Sequence, residues 1–155
     1  SEYENYLCIP EGGYGSQAID GMDNLVHELP SCDAIYCAMG TGATSIGIAR
    51  ATSVPVTGIL TLNNQAEIEN HLTDFPAANL KIDDNYIFGK YAKQPEELID
   101  FCQTFEQKHQ IKIEPIYTGR MFYGLYDLLK KNYFESGSTI VALHTGGIKL
   151  TDGAF

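Results

Sequence analysis

The chain has 155 residues, of which 44% are hydrophobic, and it carries 10 basic against 20 acidic side chains, a formal charge of −10. That length supports one ordinary domain with a packed core, and that apolar content excludes a disordered chain. The acidic balance repels phosphate backbones and anionic lipid, so neither nucleic acid nor a membrane surface is expected as a partner.

Tyr6 to Pro10 reads as a strand running into a glycine turn, Glu11 to Gly15. Gln17 to Leu29 reads as a helix, with Ala18, Met22, Leu25, Val26 and Leu29 near the i, i+3, i+4 spacing, ended by Pro30. Ala34 to Met39 is an apolar strand followed by Gly40-Thr41-Gly42-Ala43-Thr44, and small apolar residues continue to Ala51 as a buried helix. Val54 to Leu62 is a third strand and Gln65 to Leu72 a further helix. Asn79 to Lys93 is polar and reads as loop with one short strand.

Pro95 to His109 reads as a helix, with Pro95 suited to the first position and Glu96 and Glu97 to the positive end of the dipole. Gly119 to Lys131 is another, with Met121, Phe122, Leu125, Leu128 and Leu129 inward. Thr139 to Leu143 is the last strand, ending in His144-Thr145-Gly146-Gly147. Strand and helix alternate at the lengths of βαβ units, and the strands are apolar throughout, as when both sheet faces are covered. We read one α/β domain over residues 1–155 with a mainly parallel sheet flanked by helices.

Cys8, Cys32, Cys37 and Cys102 form no C-x-x-C pair, and each lies in or beside an apolar stretch, where cysteine behaves as a small hydrophobe. A reduced, cytoplasmic protein is expected, without a disulfide framework or zinc site. The four histidines lack metal-site spacing, so no metal is expected. The longest uncharged run, Ala34 to Ala49, is too short to span a bilayer, and the acidic start at Ser1 has no signal-peptide pattern.

Ligands of open parallel sheets bind at the C-terminal ends of strands, where three glycine turns fall here: Glu11-Gly12-Gly13, Gly40 to Thr44, and Thr145-Gly146-Gly147. Tyr117-Thr118-Gly119-Arg120 is a fourth candidate, linking an extended run to a helix. In Gly40 to Thr44, glycines admit an anion to the backbone N–H groups, two threonine hydroxyls add donors, and a helix begins there with its positive end. This is the chemistry of a phosphate cup; a tight turn with helix-capping threonines is the alternative. A dinucleotide fingerprint is not met, since Gly47 is out of register and Asn63 and Asn64 stand where an acidic ribose partner belongs. No G-K-[ST] of a P-loop is present, so a cofactor with a single phosphate fits better than a nucleotide. Taken singly, Tyr91 and Tyr117 read as packing tyrosines and His144 as a core-edge histidine.

Together the four turns resemble one family. Ile9-Pro10-Glu11-Gly12-Gly13, Gly40-Thr41-Gly42-Ala43-Thr44, Glu114-Pro115-Ile116-Tyr117-Thr118-Gly119-Arg120-Met121 and His144-Thr145-Gly146-Gly147 follow the order and spacing of the 1-aminocyclopropane-1-carboxylate deaminase and D-cysteine desulfhydrase family. These are pyridoxal-phosphate enzymes of the tryptophan synthase β-subunit fold. The resemblance covers nearly all of this chain but only the C-terminal half of a member, and it implies most of the large, cofactor-binding domain.

The resemblance implies that Gly40, Thr41, Gly42, Ala43 and Thr44 bind the cofactor phosphate. It implies two active-site tyrosines, Tyr117 and Tyr91, with Tyr91 lying 26 residues earlier (117 minus 91). Thr118 matches the residue facing the pyridine nitrogen, where true deaminases carry Glu, and Thr145 stands where deaminases tend to carry Leu. Both positions resemble the desulfhydrase branch. The implied reaction is β-elimination from a D-cysteine-like small amino acid to pyruvate, ammonia and sulfide, with deamination of the cyclopropane amino acid as the alternative. Arg120 replaces the family's usual Lys, which keeps charge but changes geometry. None of the eight lysines sits in the context of the Schiff-base lysine, which the family carries in its N-terminal half. The chain alone is therefore expected to be inactive, as part of a homodimeric enzyme. A non-catalytic phosphate-ligand-binding module and a dinucleotide-binding domain are the competing readings.

Overall fold

The computed structural model describes residues 8–89 and 93–146. The elements run α1 (Ser16–Asp20), α2 (Met22–Glu28), β1 (Ala34–Met39), α3 (Ala43–Ala51), β2 (Val56–Leu60), α4 (Gln65–Asp74), β3 (Leu80–Asp83), α5 (Glu96–His109), α6 (Thr118–Lys130) and β4 (Ile140–Leu143). The expected α/β class holds, and the four strands form one sheet in the order β3-β2-β1-β4. Every pairing is parallel, with Ile35 beside Val56, Ala34 beside Ile140, and Val56 beside Leu80.

β1 is apolar along its whole length because both faces of the sheet are covered. Tyr36 and Ile59 point into a core with Leu98 and Phe105 of α5 and Met121, Phe122 and Leu125 of α6. Ile35, Cys37 and Val56 point the other way, onto Ile48 and Ala49 of α3, with Met22, Leu25 and Val26 of α2 behind. At about 25 cal/mol per Å2, each such buried aliphatic side chain contributes about 2 kcal/mol before entropy is counted. β4 differs: all four of its apolar residues are only half-buried.

Several boundaries shift from expectation. The helix read from Gln17 to Leu29 is two short ones, divided at Gly21, where glycine weakens helix continuation. Pro95, with ψ 151°, caps α5 from outside rather than occupying its first turn. The extended run expected before Tyr117 is a turn, not a strand. Cys8, Ile9 and Pro10 are not in a strand, and the rest of the strand expected at Tyr6 to Pro10 lies outside the described residues.

The strand order fixes where a ligand belongs. From β1 the chain steps to β2 and β3 on one side, then returns through α5 and α6 to place β4 on the other side of β1. α3, which follows β1, covers one face of the sheet and α6, which precedes β4, covers the other, so the C-terminal ends of β1 and β4 flank a crevice of the kind in which parallel α/β sheets bind ligands.

Candidate functional site

A cavity of about 340 Å3 opens at that crevice. Its floor is the run from Gly40 to Ser45, and its walls are Glu11 and Gly12, Tyr117, and Thr145. Three of the glycine turns and the start of α6 thus meet in one place, although they are far apart in sequence.

The floor has the features of an anion cup. Gly42 precedes α3 with φ 90°, a left-handed conformation that favours glycine. A side chain there would also bring its Cβ to 2.9 Å from Ile68 Cδ1. No side chain caps α3, so the N–H groups of its first turn are available to an anion, and the helix dipole favours negative charge there. A Cβ on Gly40 would meet Tyr117 Cε1 at 3.2 Å, so the Tyr117 ring packs close over the loop. Thr41 and Thr44 are half-buried at the cavity and present hydroxyl groups of the right kind.

The loop is held from the side of α4. Asn64 Nδ2 donates to the Gly40 carbonyl at 3.1 Å, and His71 Nδ1 donates to the Thr41 carbonyl at 3.0 Å. A carbonyl only accepts, so this bond places a proton on Nδ1. Sequence reasoning noted Asn64 only as a missing ribose partner and passed over His71; neither carries a motif. Below the floor, Ser45 Oγ lies 3.1 Å from Cys37 Sγ. Burial pushes the Cys37 thiol up to about 11, against the smaller opposing effect of Ser45, so it is no nucleophile at neutral pH.

Tyr117 is positioned by Glu114. That carboxylate is 1% exposed and accepts the amide N–H groups of Ile116 at 2.7 Å, Tyr117 at 2.9 Å and Thr118 at 2.7 Å. Thr118 is equally buried, and its hydroxyl donates to Glu114 Oε1 at 3.2 Å. The cavity lining includes Tyr117 but not Thr118. Arg120 is fully buried and donates to the carbonyls of Thr61 at 2.6 Å, Ile87 at 2.7 Å and Lys93 at 2.9 Å. It pins the end of β2 and the segment before α5 to the start of α6. Burial lowers the Arg120 pKa, while Glu114 and Tyr117 oppose that shift.

His144 is engaged at both ring nitrogens. Nε2–H donates to the Lys112 carbonyl at 2.7 Å, and Nδ1 accepts the Gly146 N–H at 3.1 Å. That leaves Thr145 as the residue of its turn that lines the cavity. Tyr91 and Gly147 lie outside the described residues. Among the described residues no lysine lines the cavity, no cluster could hold a metal ion, and no helix is long and apolar enough to cross a membrane.

No protein-family model matches the chain. Curated relatives do. A putative 1-aminocyclopropane-1-carboxylate deaminase of Pyrococcus furiosus is 35% identical over 77% of this chain and 40% of its own length. Its counterpart in Thermotoga maritima is 28% identical over 94% of this chain and 53% of its own. A Bradyrhizobium diazoefficiens protein named 1-aminocyclopropane-1-carboxylate deaminase is 27% identical over 58% of this chain. A crystal structure described as an ACC deaminase homologue superposes with a TM-score of 0.78 at 27% identity, covering 90% of this chain and 49% of that one. The chain spans about half the length of the relatives it matches most fully. Sequence and fold agree with the resemblance carried by the four turns.

Proposed function

We propose that this chain, which belongs to the 1-aminocyclopropane-1-carboxylate deaminase family, supplies the phosphate cup and part of the substrate wall of a pyridoxal-phosphate-dependent enzyme acting on a small amino acid. The observation that carries the proposal is convergence: the glycine-threonine floor, Tyr117 and Thr145 line one cavity at the switch point of a parallel sheet. The donor set fits the cofactor's phosphate, offering uncapped helix N–H groups and two threonine hydroxyls, with no acidic side chain in the floor from Gly40 to Ser45.

When bound, pyridoxal phosphate supplies an electron sink for the substrate's α-carbon. The chain's residues do the holding. Gly42, Ala43 and Thr44 bind the phosphate and fix the depth of the ring. Tyr117, set from behind by Glu114, orients the substrate over the floor or moves a proton at its hydroxyl. The resemblance assigns Thr118 to the pyridine nitrogen, where a threonine would hydrogen-bond a neutral ring; here its hydroxyl is buried and donates to Glu114, so that role would require it to turn from Glu114. The Schiff-base lysine belongs, by the resemblance, to the part of the relatives that this chain does not match. A homodimer of the whole enzyme is part of the same proposal.

Two reactions remain in play. The names of the relatives favour ring opening of the cyclopropane amino acid. Thr118 and Thr145 favour β-elimination of a thiolate from a D-cysteine-like substrate, because a neutral ring is the weaker sink and suits a good leaving group. The protein containing this chain is to be loaded with pyridoxal phosphate and offered each substrate. Sulfide with ammonia supports β-elimination, whereas ammonia from the cyclopropane amino acid with no reaction of D-cysteine supports the deaminase. Absence of saturable cofactor binding sinks both.

A further inference from the structure

We propose that His71 is a positioning residue for the phosphate cup, acting through the Thr41 carbonyl. The inference rests on the cofactor-site reading above and deepens it.

Three observations place His71 in this role. Its Nδ1–H donates to the Thr41 carbonyl at 3.0 Å, in the loop whose next residues offer N–H groups to the cavity. Its ring lies flat on Tyr14, with centroids 3.7 Å apart and planes 17° from parallel. Tyr14 directly follows the Glu11–Gly13 turn, which forms the opposite lip of the cavity. One imidazole therefore ties the floor to that lip. The two also touch directly: a Cβ on Gly12 would meet Thr41 Cγ2 at 2.7 Å.

The chemistry explains why the bond matters. A peptide group is planar, so the direction of the Thr41 carbonyl fixes the direction of the Gly42 N–H. Holding that carbonyl toward α4 keeps the N–H on the cavity side before any anion arrives. Such preorganised donors stabilise a bound charge more than donors that must reorient. The His71 side chain is only 16% exposed, so water competes poorly for the carbonyl. Ring stacking and the hydrogen bond are separable, because Phe retains the first and Asn, whose amide nitrogen matches Nδ1 in reach, retains the second.

The test compares dissociation constants for pyridoxal phosphate and pyridoxal in the protein containing this chain. The ratio of the two isolates the phosphate contribution and is insensitive to a loss of stability shared by both complexes. His71→Phe should reduce the preference for the phosphorylated form by about tenfold, the equivalent of one lost hydrogen bond, and His71→Asn should keep most of it. An unchanged ratio in His71→Phe overturns the proposal, as does a loss confined to His71→Asn, which would assign the effect to the stack. Should His71→Phe not fold, His71→Tyr carries the same comparison, since it too keeps a ring and has no donor at the Nδ1 position. A wild-type protein with no preference for the phosphorylated form would instead refute the phosphate-cup reading itself.

Discussion

Glu114 and Thr118 bond each other in both directions. The Thr118 amide donates to Glu114 Oε1 at 2.7 Å, and Thr118 Oγ1 accepts the Glu114 amide at 3.3 Å. The same carboxylate takes the amides of Ile116 and Tyr117, so the first turn of α6 is anchored on one buried charge. Glutamine there keeps one acceptor and turns an NH2 group toward amide donors. Glu114→Gln should lower stability by about 2 kcal/mol, seen as a shift in the urea midpoint. An unshifted midpoint would show that the carboxylate is not the anchor.

Thr118→Glu imports the residue of the deaminase branch, but Thr118 Oγ1 already lies 3.2 Å from Glu114 Oε1. Two carboxylates at such a distance cannot both ionise cheaply, so the pKa of one is raised on folding. A group with a raised folded pKa leaves stability intact below its unfolded value and removes it as pH climbs through the folded one. The variant should therefore be far less stable than the parent at about pH 7, with the gap narrowing near pH 4. A gap independent of pH would mean that the new side chain escapes Glu114.

Arg120 spreads one charge over four carbonyls, those of Thr61, Ile87 and Lys93 and, at 3.4 Å, Pro115. Lysine keeps the charge but has a single ammonium and cannot span them. Arg120→Lys should cost about 2 kcal/mol or more, because buried carbonyls lose their donors. Thermal unfolding at matched ligand concentration would measure it, and a cost near zero would indicate that ordered water replaces the guanidinium.

Gly42→Ala combines a left-handed φ with a Cβ at 2.9 Å from Ile68 Cδ1. A cost of about 2 kcal/mol is expected, with weaker binding of pyridoxal phosphate than of pyridoxal as its signature. An alanine variant with parental stability and affinity would remove Gly42 from the cup.

The thiols should sort by depth. Burial pushes Cys102 up to about 12, with Glu114 adding to it, and Cys37 up to about 11, whereas Cys8 is exposed. A thiol reagent at about pH 8 should label Cys8 first and reach Cys37 and Cys102 only on unfolding. As both buried groups resist ionising, their contribution to stability should fade as pH rises from about 9 toward those values. Rapid labelling of Cys102 in the native state would contradict the packing of α5 on α6.

Much of this architecture was readable from the residues. Ala34 to Met39 and Gln65 onward announced themselves by apolar runs and helical spacing, and Gly40 to Thr44 by its glycines. Glu11, the Gly40 loop, Tyr117 and Thr145, far apart in the chain, all line one cavity. What escaped were long-range polar partners. His71 sits within a polar helix face and meets Thr41 only because α4 packs beside the loop. Glu114 entered only as the first residue of a motif, with no role assigned, since nothing local shows that a carboxylate will be buried under three amides and a hydroxyl. The division at Gly21 escaped as well, because it shows only when α1 and α2 are seen to pack separately onto α3.

The position of β4 beside β1 has a consequence for how the molecule is made. Among the described residues, the last strand in chain order leads into Thr145 of the cavity wall, so the cavity spans Glu11 to Thr145 and no piece of chain shorter than that supplies all its walls. On the ribosome β1, α3 and β2 can assemble early, but the pocket cannot close until β4 emerges, and the nascent sheet meanwhile exposes one edge of its central strand. Ligand binding is then coupled to the whole fold. A cofactor at one hundred times its dissociation constant should raise global stability by about 2.7 kcal/mol, and hydrogen exchange should slow at the Glu11–Gly13 turn and in β4 together.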